Sequence, residues 1–261
     1  MKIEKYNLWN KTPGMCEEIP AITAFIPDNK KSDGAIVILA GGAYMIRASH
    51  EGEGYAKWLA ERGITAFVCD YRVSPHQFPL PLADSRRSIK FVRFHADKYG
   101  IDKNKVFIMG SSAGGHLAAL TSTYFNKTDY DNIDQIDNES FIPDGQILCY
   151  PVIKLLGKNV AHLESGKTLL GENQAFLGEE LSPDLIATEK SPKAFIWHNF
   201  DDEAVNVLNS IDYVKKLKSV NVDCELHIFP KGGHGIGLAL NNTHVAQWSE
   251  LLYNWLIYNG F

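Results

Sequence analysis

The sequence predicts an α/β fold in which helices flank a mainly parallel sheet. Short and wholly apolar runs such as residues 35–40 are typical of parallel strands that are covered on both faces. These runs alternate with helical patterns of about ten or more residues, and crossovers of that length join parallel neighbours. The chain has 261 residues, of which 45% are apolar and 22% are charged. That size and composition suit one domain with a sizeable core, so we expect residues 1–261 to form a single domain.

The predicted strands follow one another along almost the whole chain. Residues 1–31 suggest one or two antiparallel strands, of which Ala21–Ile26 is the clearer. The apolar runs that predict the next strands are residues 35–40, 64–69, 106–109, 146–152 and 194–198. Cys224–Phe229 alternates polar and apolar residues, which is typical of a strand at a sheet edge.

Helices are predicted between these strands from apolar stripes. The stripes comprise Tyr55, Trp58 and Leu59 before Gly63; Leu82, Ile89, Val92, Ala96 and Tyr99 before Gly100; Val205, Leu208, Ile211, Val214 and Leu217; and Val245, Trp248, Leu252 and Trp255. About forty residues separate the strands at 146–152 and 194–198, too many for a plain connection between a helix and a strand. We therefore predict a small cap insertion at about residues 153–192.

Composition excludes several classes of partner and cofactor. The formal net charge is -5, and no Lys/Arg cluster is dense enough for nucleic acid or an anionic membrane. The first ten residues lack the apolar core of a signal peptide, and no later run could span a bilayer. Four scattered cysteines indicate free thiols in a reducing cytoplasm rather than disulfides. The acidic stretch 126–140 suits a solvated loop better than a metal site, and we expect neither a metal nor another cofactor.

The strand that begins at Val106 runs into Gly-x-Ser-x-Gly at residues 110–114 and then into a helical pattern. This order of strand, turn and helix predicts a nucleophile elbow with Ser112 at its apex. Gly110 and Gly114 flank the serine where a Cβ would collide with the neighbouring strand or helix. The helix points its positive end at the reaction centre. The motif alone occurs by chance, so the prediction depends on this context.

A serine hydroxyl becomes a nucleophile when a base takes its proton and a carboxylate orients the base. In the α/β-hydrolase fold these groups follow in the order Ser, Asp or Glu, His, each on a loop after a strand. Asp202 and then His234 come after two of the predicted strands, and His234 lies in a glycine-rich loop. We therefore predict Ser112, Asp202 and His234 as a catalytic triad. Asp201 is the alternative carboxylate, although shaping the turn suits it better.

An acyl-transfer site also needs N–H donors for the oxyanion of the tetrahedral intermediate. In this fold the residue after the nucleophile supplies one donor, here Ala113, and the loop after an early strand supplies the others. Gly41, Gly42 and Ala43 occupy that loop, and Gly42 and Ala43 are the preferred pair.

Two further histidines have other expected roles. His198 precedes the aspartate pair at the end of a strand, so we expect it to be packed beside the site. His116 lies one turn into the elbow helix, where a buried structural histidine is the favoured interpretation.

With these motifs the chain resembles the acetyl esterase and lipase group of α/β-hydrolases, particularly its acetyl-xylan (sugar) esterase-like branch. The matching motifs are residues 40–44 for the oxyanion loop, Glu51-Gly52 or Glu53-Gly54, Asp70-Tyr71-Arg72, residues 112–117, residues 150–152 and residues 202–206. The last motif supports Asp202 over Asp201. Ala40, Ala43 and Asn206 depart from the pattern of the branch, but none of them removes a reacting group.

The resemblance implies a mainly parallel eight-stranded sheet and a carboxylesterase for short acyl esters, with acetylated sugars as one substrate class. A serine exopeptidase or amidase of the same fold is the enzymatic alternative. A ligand-binding relative that has lost catalysis is the other, but such proteins typically lack the serine or histidine. The sequence leaves open whether the chain forms a homodimer or a homotetramer.

The predicted cap suggests a preference for short acyl groups. It carries few large apolar residues, namely Leu155, Leu156, Leu169, Leu170, Phe176 and Leu177, among many polar ones. These are too few for a long lipid tunnel. We expect Tyr44, beside the oxyanion loop, and the bulky cap residues to close the acyl pocket early. His162 in the cap is a second candidate for the substrate pocket.

Overall fold

A computed structural model of the chain describes residues 1–14, 19–126, 130, 132–157 and 159–261. Within them, eight strands form one sheet: β1 (Lys2–Asn7), β2 (Ala21–Ile26), β3 (Ala35–Leu39), β4 (Thr65–Asp70), β5 (Val106–Ser111), β6 (Gly145–Cys149), β7 (Ala194–Asn199) and β8 (Cys224–Phe229). Their order across the sheet is β1-β2-β4-β3-β5-β6-β7-β8. β2 pairs antiparallel with β1 and β4, and the pairs from β4 to β8 are parallel. The predicted mainly parallel sheet is confirmed, and β8 lies at an edge as expected.

Helices cover both faces of this sheet. They are α1 (Ser49–Glu61), α2 (Leu80–Phe94), α3 (Ala96–Tyr99), α4 (Ser112–Thr123), α5 (Leu163–Leu170), α6 (Gln174–Leu177), α7 (Pro183–Ile186), α8 (Leu208–Ser219) and α9 (Gln247–Tyr258), with 3-10 turns at Gln135–Asn138 and Gly171–Asn173. In β3, Val37 and Leu39 enter the core on one face while Ile36 and Ile38 enter the core on the other. This division explains why the central strands are apolar throughout, because each residue of such a strand faces packed helices.

Two of the predicted helices differ from the observed ones. The stripe that ends at Tyr99 is divided between two helices, because α2 ends before His95 and α3 begins after it. The ring of His95 packs on Phe91 at a centroid distance of 4.2 Å. The helix predicted from the stripe Val205 to Leu217 is present as α8, but it begins only at Leu208, whose side chain is exposed. Sequence patterns count apolar residues, whereas α8 buries polar side chains that have hydrogen-bond partners in the core.

The acidic stretch is more firmly attached than a solvated loop. Asp137 is buried, and its Oδ1 lies 3.0 Å from Nη1 of Arg87 and 3.4 Å from Nζ of Lys90. Asp134 lies 2.7 Å from Nη2 of the same arginine. The prediction of a solvated loop is therefore wrong for these two aspartates, because α2 presents buried cations that need anionic partners. Residues 127–129 and 131 of the stretch lie outside the described residues.

Two other predictions concern membranes and cysteines. Among the described helices, none is both long and apolar enough to cross a bilayer. Cys69 and Cys149 are buried free thiols, and Cys224 is a half-buried one. Cys16 lies outside the described residues.

Candidate active site

Ser112 occupies a strained turn between β5 and α4. Its φ angle is +52°, in the left-handed region that non-glycine residues rarely adopt. A Cβ at Gly110 would lie 2.1 Å from the carbonyl oxygen of Gly114, and one at Gly114 would lie 2.2 Å from the carbonyl oxygen of Leu39. Both positions therefore need glycine, as the sequence predicted. The turn places the serine side chain at the start of α4, where helix N–H groups have no intrahelical partner.

Ser112, His234 and Asp202 form a continuous line of hydrogen bonds. Nε2 of His234 lies 2.9 Å from Oγ of Ser112, and Nδ1 of the same ring lies 2.6 Å from Oδ2 of Asp202. Because a carboxylate only accepts hydrogen bonds, Nδ1 carries a proton and Nε2 is left to accept one from the serine. The arrangement can activate a hydroxyl as a nucleophile.

The carboxylate of Asp202 is buried and surrounded by donors. Its Oδ1 accepts from the backbone N–H of Ala204 at 3.0 Å and of Val205 at 2.8 Å. Burial opposes its ionisation, but the hydrogen bonds from His198, His234 and the backbone outweigh burial and hold its pKa well below the ordinary value. The carboxylate is therefore charged at neutral pH, as a group that steadies an imidazolium must be.

Asp201 has a different position from its neighbour. Its side chain is exposed and its Oδ1 accepts from the backbone N–H groups of Gly232 at 2.8 Å and Gly233 at 3.0 Å. These two residues directly precede His234. Asp201 thus connects the loop after β7 to the histidine loop, whereas Asp202 contacts the histidine ring.

Three of the four candidate oxyanion donors lie at the site, whereas the N–H of Gly41 is engaged elsewhere. Gly42 and Ala43 line the cavity at Ser112 with left-handed φ angles of +130° and +54°, and Ala113 lies in the first turn of α4. The backbone N–H of Gly41 instead donates to Oε2 of Glu51 at 2.9 Å. The prediction that Gly41 supplies a donor is therefore not supported, because its single N–H hydrogen already has a buried acceptor.

A cavity of about 530 Å³ opens at Ser112 and His234. Its apolar wall includes Met45 and Ile46, and the cap contributes His162 and Glu164. A larger groove of about 720 Å³ lies between β1 and α2, remote from the candidate triad, and the groove has no nucleophile with a paired base among its lining residues. Chemistry rather than size therefore identifies the smaller cavity as the candidate substrate site.

His162 is the predicted pocket residue that the structure brings to the cavity. It caps α5, where its Nδ1 lies 3.2 Å from the backbone N of Ser165 and 2.9 Å from its Oγ. Burial lowers the pKa of His162, so the ring is neutral at neutral pH. A neutral ring that accepts at Nδ1 carries its proton on Nε2.

Tyr44 and the bulky cap residues do not form the expected pocket wall. Tyr44 is fully buried, and its hydroxyl donates to Nδ1 of His116 at 2.7 Å rather than facing the cavity. Leu155, Leu169 and Leu170 lie in the hydrophobic core, whereas Phe176 is 83% exposed. None of these residues lines the described cavity at Ser112, so the prediction that they close the acyl pocket is wrong.

The two other histidines are buried. Nε2 of His116 donates to the carbonyl oxygen of Leu181 at 2.8 Å, and burial lowers the pKa of His116 to about 4. Nε2 of His198 donates to the carbonyl oxygen of Val205 at 2.9 Å and lies 3.2 Å from Oδ2 of Asp202. His116 is therefore a structural residue, whereas His198 contacts the candidate carboxylate from the protein interior.

Sequence reasoning missed several polar residues around the site. Ser210 lies 2.8 Å from Nδ1 of His198, and Asn209 accepts from the backbone N–H groups of residues 153 and 154. Glu51 and Tyr150 lie behind the oxyanion loop and the histidine loop. Both residues lie in motifs that match the family pattern, but their contact was not predicted. They are 99 positions apart in the sequence, and no local pattern indicates that their side chains form a buried hydrogen bond.

Comparisons with known proteins indicate the family to which the chain belongs. The model of the BD-FAE family matches residues 23–217. Endo-1,4-beta-xylanase B of Butyrivibrio fibrisolvens is 34% identical over 254 residues, which cover 93% of this chain and 39% of that protein. Acetylxylan esterase of Xylanibacter ruminicola is 30% identical over 240 residues, covering 90% of this chain and 47% of the relative. The chain thus spans less than half the length of these two curated relatives.

A solved structure extends the similarity to the whole fold. The acetyl ester-xyloside bifunctional hydrolase from Caldicellulosiruptor lactoaceticus is 40% identical, with a TM-score of 0.92. The match covers 99% of this chain and 97% of that one. The predicted α/β-hydrolase fold and the resemblance to esterases of this group are confirmed.

Proposed function

The chain belongs to the BD-FAE family, and on that premise we propose that it is a serine carboxylesterase that hydrolyses acetyl and other short-chain acyl esters. The observation that carries the proposal is the hydrogen-bonded line from Ser112 through His234 to Asp202. A lone Gly-x-Ser-x-Gly has many uses, but a serine paired with a base that is itself paired with a carboxylate has the arrangement of a serine hydrolase.

In the proposed mechanism, Oγ of Ser112 attacks the ester carbonyl while Nε2 of His234 takes the hydroxyl proton. The charge on Asp202 stabilises the imidazolium that forms. The carbonyl oxygen becomes an oxyanion, which accepts hydrogen bonds from the backbone N–H groups of Gly42, Ala43 and Ala113. His234 then returns the proton to the leaving alcohol, and an acyl-enzyme remains. A water molecule repeats the sequence and releases the acid.

The walls of the cavity favour a small acyl group. Its large apolar residues are Met45 and Ile46, and Ile46 is 62% exposed. Each methylene that an apolar pocket buries contributes about 0.8 kcal/mol to binding. An eight-carbon acyl chain would therefore need a deeper apolar wall. Leu155, Leu169 and Leu170 of the cap, which are packed in the core, do not provide it.

The polar cap residues suit an alcohol that carries hydroxyl groups. Nδ1 of His162 caps α5, so the proton on Nε2 is not used in the cap. We assign to this Nε2–H a hydrogen bond to a substrate oxygen on the alcohol side of the ester. An acetylated sugar presents such oxygens. The names of two relatives, an acetylxylan esterase and an acetyl ester-xyloside hydrolase, support the same substrate class.

The free thiols support a reducing environment. Cys69 and Cys149 are buried as thiols, and disulfides are rare in the cytosol. We assign the chain to the cytoplasm on this ground.

The test is a series of p-nitrophenyl esters from acetate to octanoate, assayed beside acetylated xylo-oligosaccharides and aminoacyl anilides. We expect kcat/KM to fall beyond about four acyl carbons, because further methylenes lie outside the apolar wall. Octanoate cleaved faster than acetate would contradict the short-acyl assignment and indicate a lipase. Anilides cleaved as fast as acetate esters would indicate the exopeptidase alternative.

His162→Asn tests the alcohol side of the site. Asparagine is a good N-cap, so the variant keeps α5 capped while it removes the Nε2 donor. We expect the ratio of kcat/KM for acetylated xylo-oligosaccharide to that for p-nitrophenyl acetate to fall about tenfold, the worth of one hydrogen bond. An unchanged ratio would remove His162 from the assignment.

A further inference from the structure

Glu51 is a buried carboxylate that the proposed mechanism does not use. It lies in the first turn of α1 and is 2% exposed. Its Oε2 accepts from the backbone N–H of Gly41 at 2.9 Å, and its Oε1 accepts from the hydroxyl of Tyr150 at 2.6 Å. One side chain therefore contacts two segments that approach the candidate site from different strands.

The contact with Gly41 concerns the oxyanion loop. The carbonyl oxygen of Gly41 accepts from the backbone N–H of Ala48 at 3.0 Å, so the start of α1 binds both polar groups of this residue. A Cβ at Gly41 would lie 2.5 Å from Oε2 of Glu51 and 2.7 Å from the carbonyl oxygen of Ser111. The loop is thus held between the carboxylate and the elbow. Gly42 and Ala43, the candidate oxyanion donors, follow Gly41 directly in the chain.

The contact with Tyr150 concerns the histidine loop. The hydroxyl of Tyr150 accepts from the backbone N–H of Gly237 at 3.0 Å, three residues after His234. The tyrosine ring lies edge-on to the ring of His234, with centroids 5.0 Å apart. Tyr150 is fully buried, so its hydroxyl depends on these protein partners.

We infer that Glu51 and Tyr150 are positioning residues that join the oxyanion loop to the histidine loop. The carboxylate holds Gly41, the tyrosine holds Gly237, and the 2.6 Å hydrogen bond between them links the two loops. Oxyanion donors act because they are oriented before the charge develops. A fixed link between the loops is therefore expected to stabilise the transition state more than the bound ester.

The experiment uses four variants of the full chain and p-nitrophenyl acetate. Glu51→Leu removes both acceptors, Tyr150→Phe removes the link to Gly237, and Glu51→Gln keeps an oxygen for Gly41. Glu53→Gln is the matched control, since this carboxylate lies on the same helix but pairs with Lys57 on the exposed face. Active sites are counted by complete labelling with a p-nitrophenyl phosphonate, and kcat is expressed per labelled site.

We expect Glu51→Leu to lower kcat per labelled site about 10- to 100-fold, with KM within about threefold, because a misplaced donor affects the transition state more than the ground state. Tyr150→Phe is expected to lower kcat about tenfold, and Glu51→Gln to retain more kcat than Glu51→Leu. Glu53→Gln is expected to match the wild type. If Glu51→Leu does not fold, Tyr150→Phe and Glu51→Gln decide the question by the same readout.

The inference rests on the proposed function, because turnover is its readout, and the two fail differently. A wild type that does not hydrolyse the ester overturns the proposed function. An active wild type with kcat per labelled site unchanged in Tyr150→Phe and the Glu51 variants overturns the positioning role alone. Fewer labelled sites at unchanged kcat per site would show a purely structural role and also overturn it.

Discussion

His234 and His198 both contact Oδ2 of Asp202, at 2.6 and 3.2 Å, but their surroundings differ. His234 is half-buried in a glycine-rich loop, and its second ring nitrogen reaches Ser112. His198 is fully buried at the end of β7, and its second ring nitrogen contacts Ser210 in the interior. Proximity to a carboxylate therefore does not identify a catalytic base. The second nitrogen must also face the nucleophile.

The largest expected effect is at His234. We expect His234→Ala to lower kcat for p-nitrophenyl acetate by about 10⁴-fold or more, because no other group is assigned to take the serine proton. The side chain is partly exposed, so we expect the Tm to change by less than about 5 °C. Steady-state kinetics and thermal unfolding check the two expectations. A variant that keeps a tenth of the wild-type kcat would show that another base acts.

The second largest effect is expected at Asp202, and its neighbour Asp201 provides the comparison. We expect Asp202→Asn to lower kcat about 10³- to 10⁴-fold, because the amide no longer fixes the tautomer of His234 or balances its charge. Asp201→Asn is the matched control, since an amide oxygen can still accept from Gly232 and Gly233, and we expect less than a tenfold change. Equal losses in the two variants would contradict the assignment of the carboxylate.

The buried ring of His116 is expected to make the stability of the protein depend on pH. Burial lowers the pKa of His116 to about 4, below its unfolded value of about 6.5. Between these values the unfolded chain binds a proton that the folded chain does not, so the free energy of unfolding falls as pH falls. The expected loss is about 3 kcal/mol between pH 6.5 and 4, and it is absent above pH 6.5.

Urea unfolding of the wild type and of His116→Gln at several pH values measures this contribution. The variant lacks the titrating ring, so we expect its free energy of unfolding to fall less steeply than that of the wild type over the same range. Parallel pH dependences would show that other groups produce the acid sensitivity.

The smallest effect is expected at His198. His198→Leu removes the partner of Ser210 and of the Val205 carbonyl, and leaving such buried groups unpaired costs about 1–3 kcal/mol of stability. We expect kcat to fall by about tenfold or less, because His234 keeps its contact with Asp202. Denaturant unfolding and kinetics of the same sample separate the two effects. A loss of kcat as large as that of His234→Ala would remove the distinction between the histidines.

Local patterns were enough to predict the strands and the elbow. Apolar runs indicate buried strands, and Gly-x-Ser-x-Gly between a strand and a helix indicates a nucleophile elbow. Both patterns are local in the sequence, so neither prediction required knowledge of long-range contacts. The order of Ser112, Asp202 and His234 also follows from the loops that carry them. Their hydrogen-bond distances are a finding of the structure.

The cavity could not be predicted in the same way. Counting apolar cap residues does not show which of them face the core, and Leu155 and Leu169 do so. Tyr44 follows the oxyanion loop in sequence, yet its side chain is buried against His116 and does not line the cavity. Glu51 joins α1 to Tyr150 across 99 positions of sequence, and such a contact depends on how the helix packs rather than on a local pattern.

The central claim is that Ser112 is the nucleophile of an acyl-transfer site. Its most direct test is peptide mass spectrometry of the protein after reaction with a p-nitrophenyl phosphonate, which mimics the ester and leaves a stable adduct. We expect one adduct per chain, on Oγ of Ser112, with loss of esterase activity in proportion to labelling. An adduct on another residue, or full labelling of Ser112 with activity retained, would contradict the assignment of Ser112 as the nucleophile.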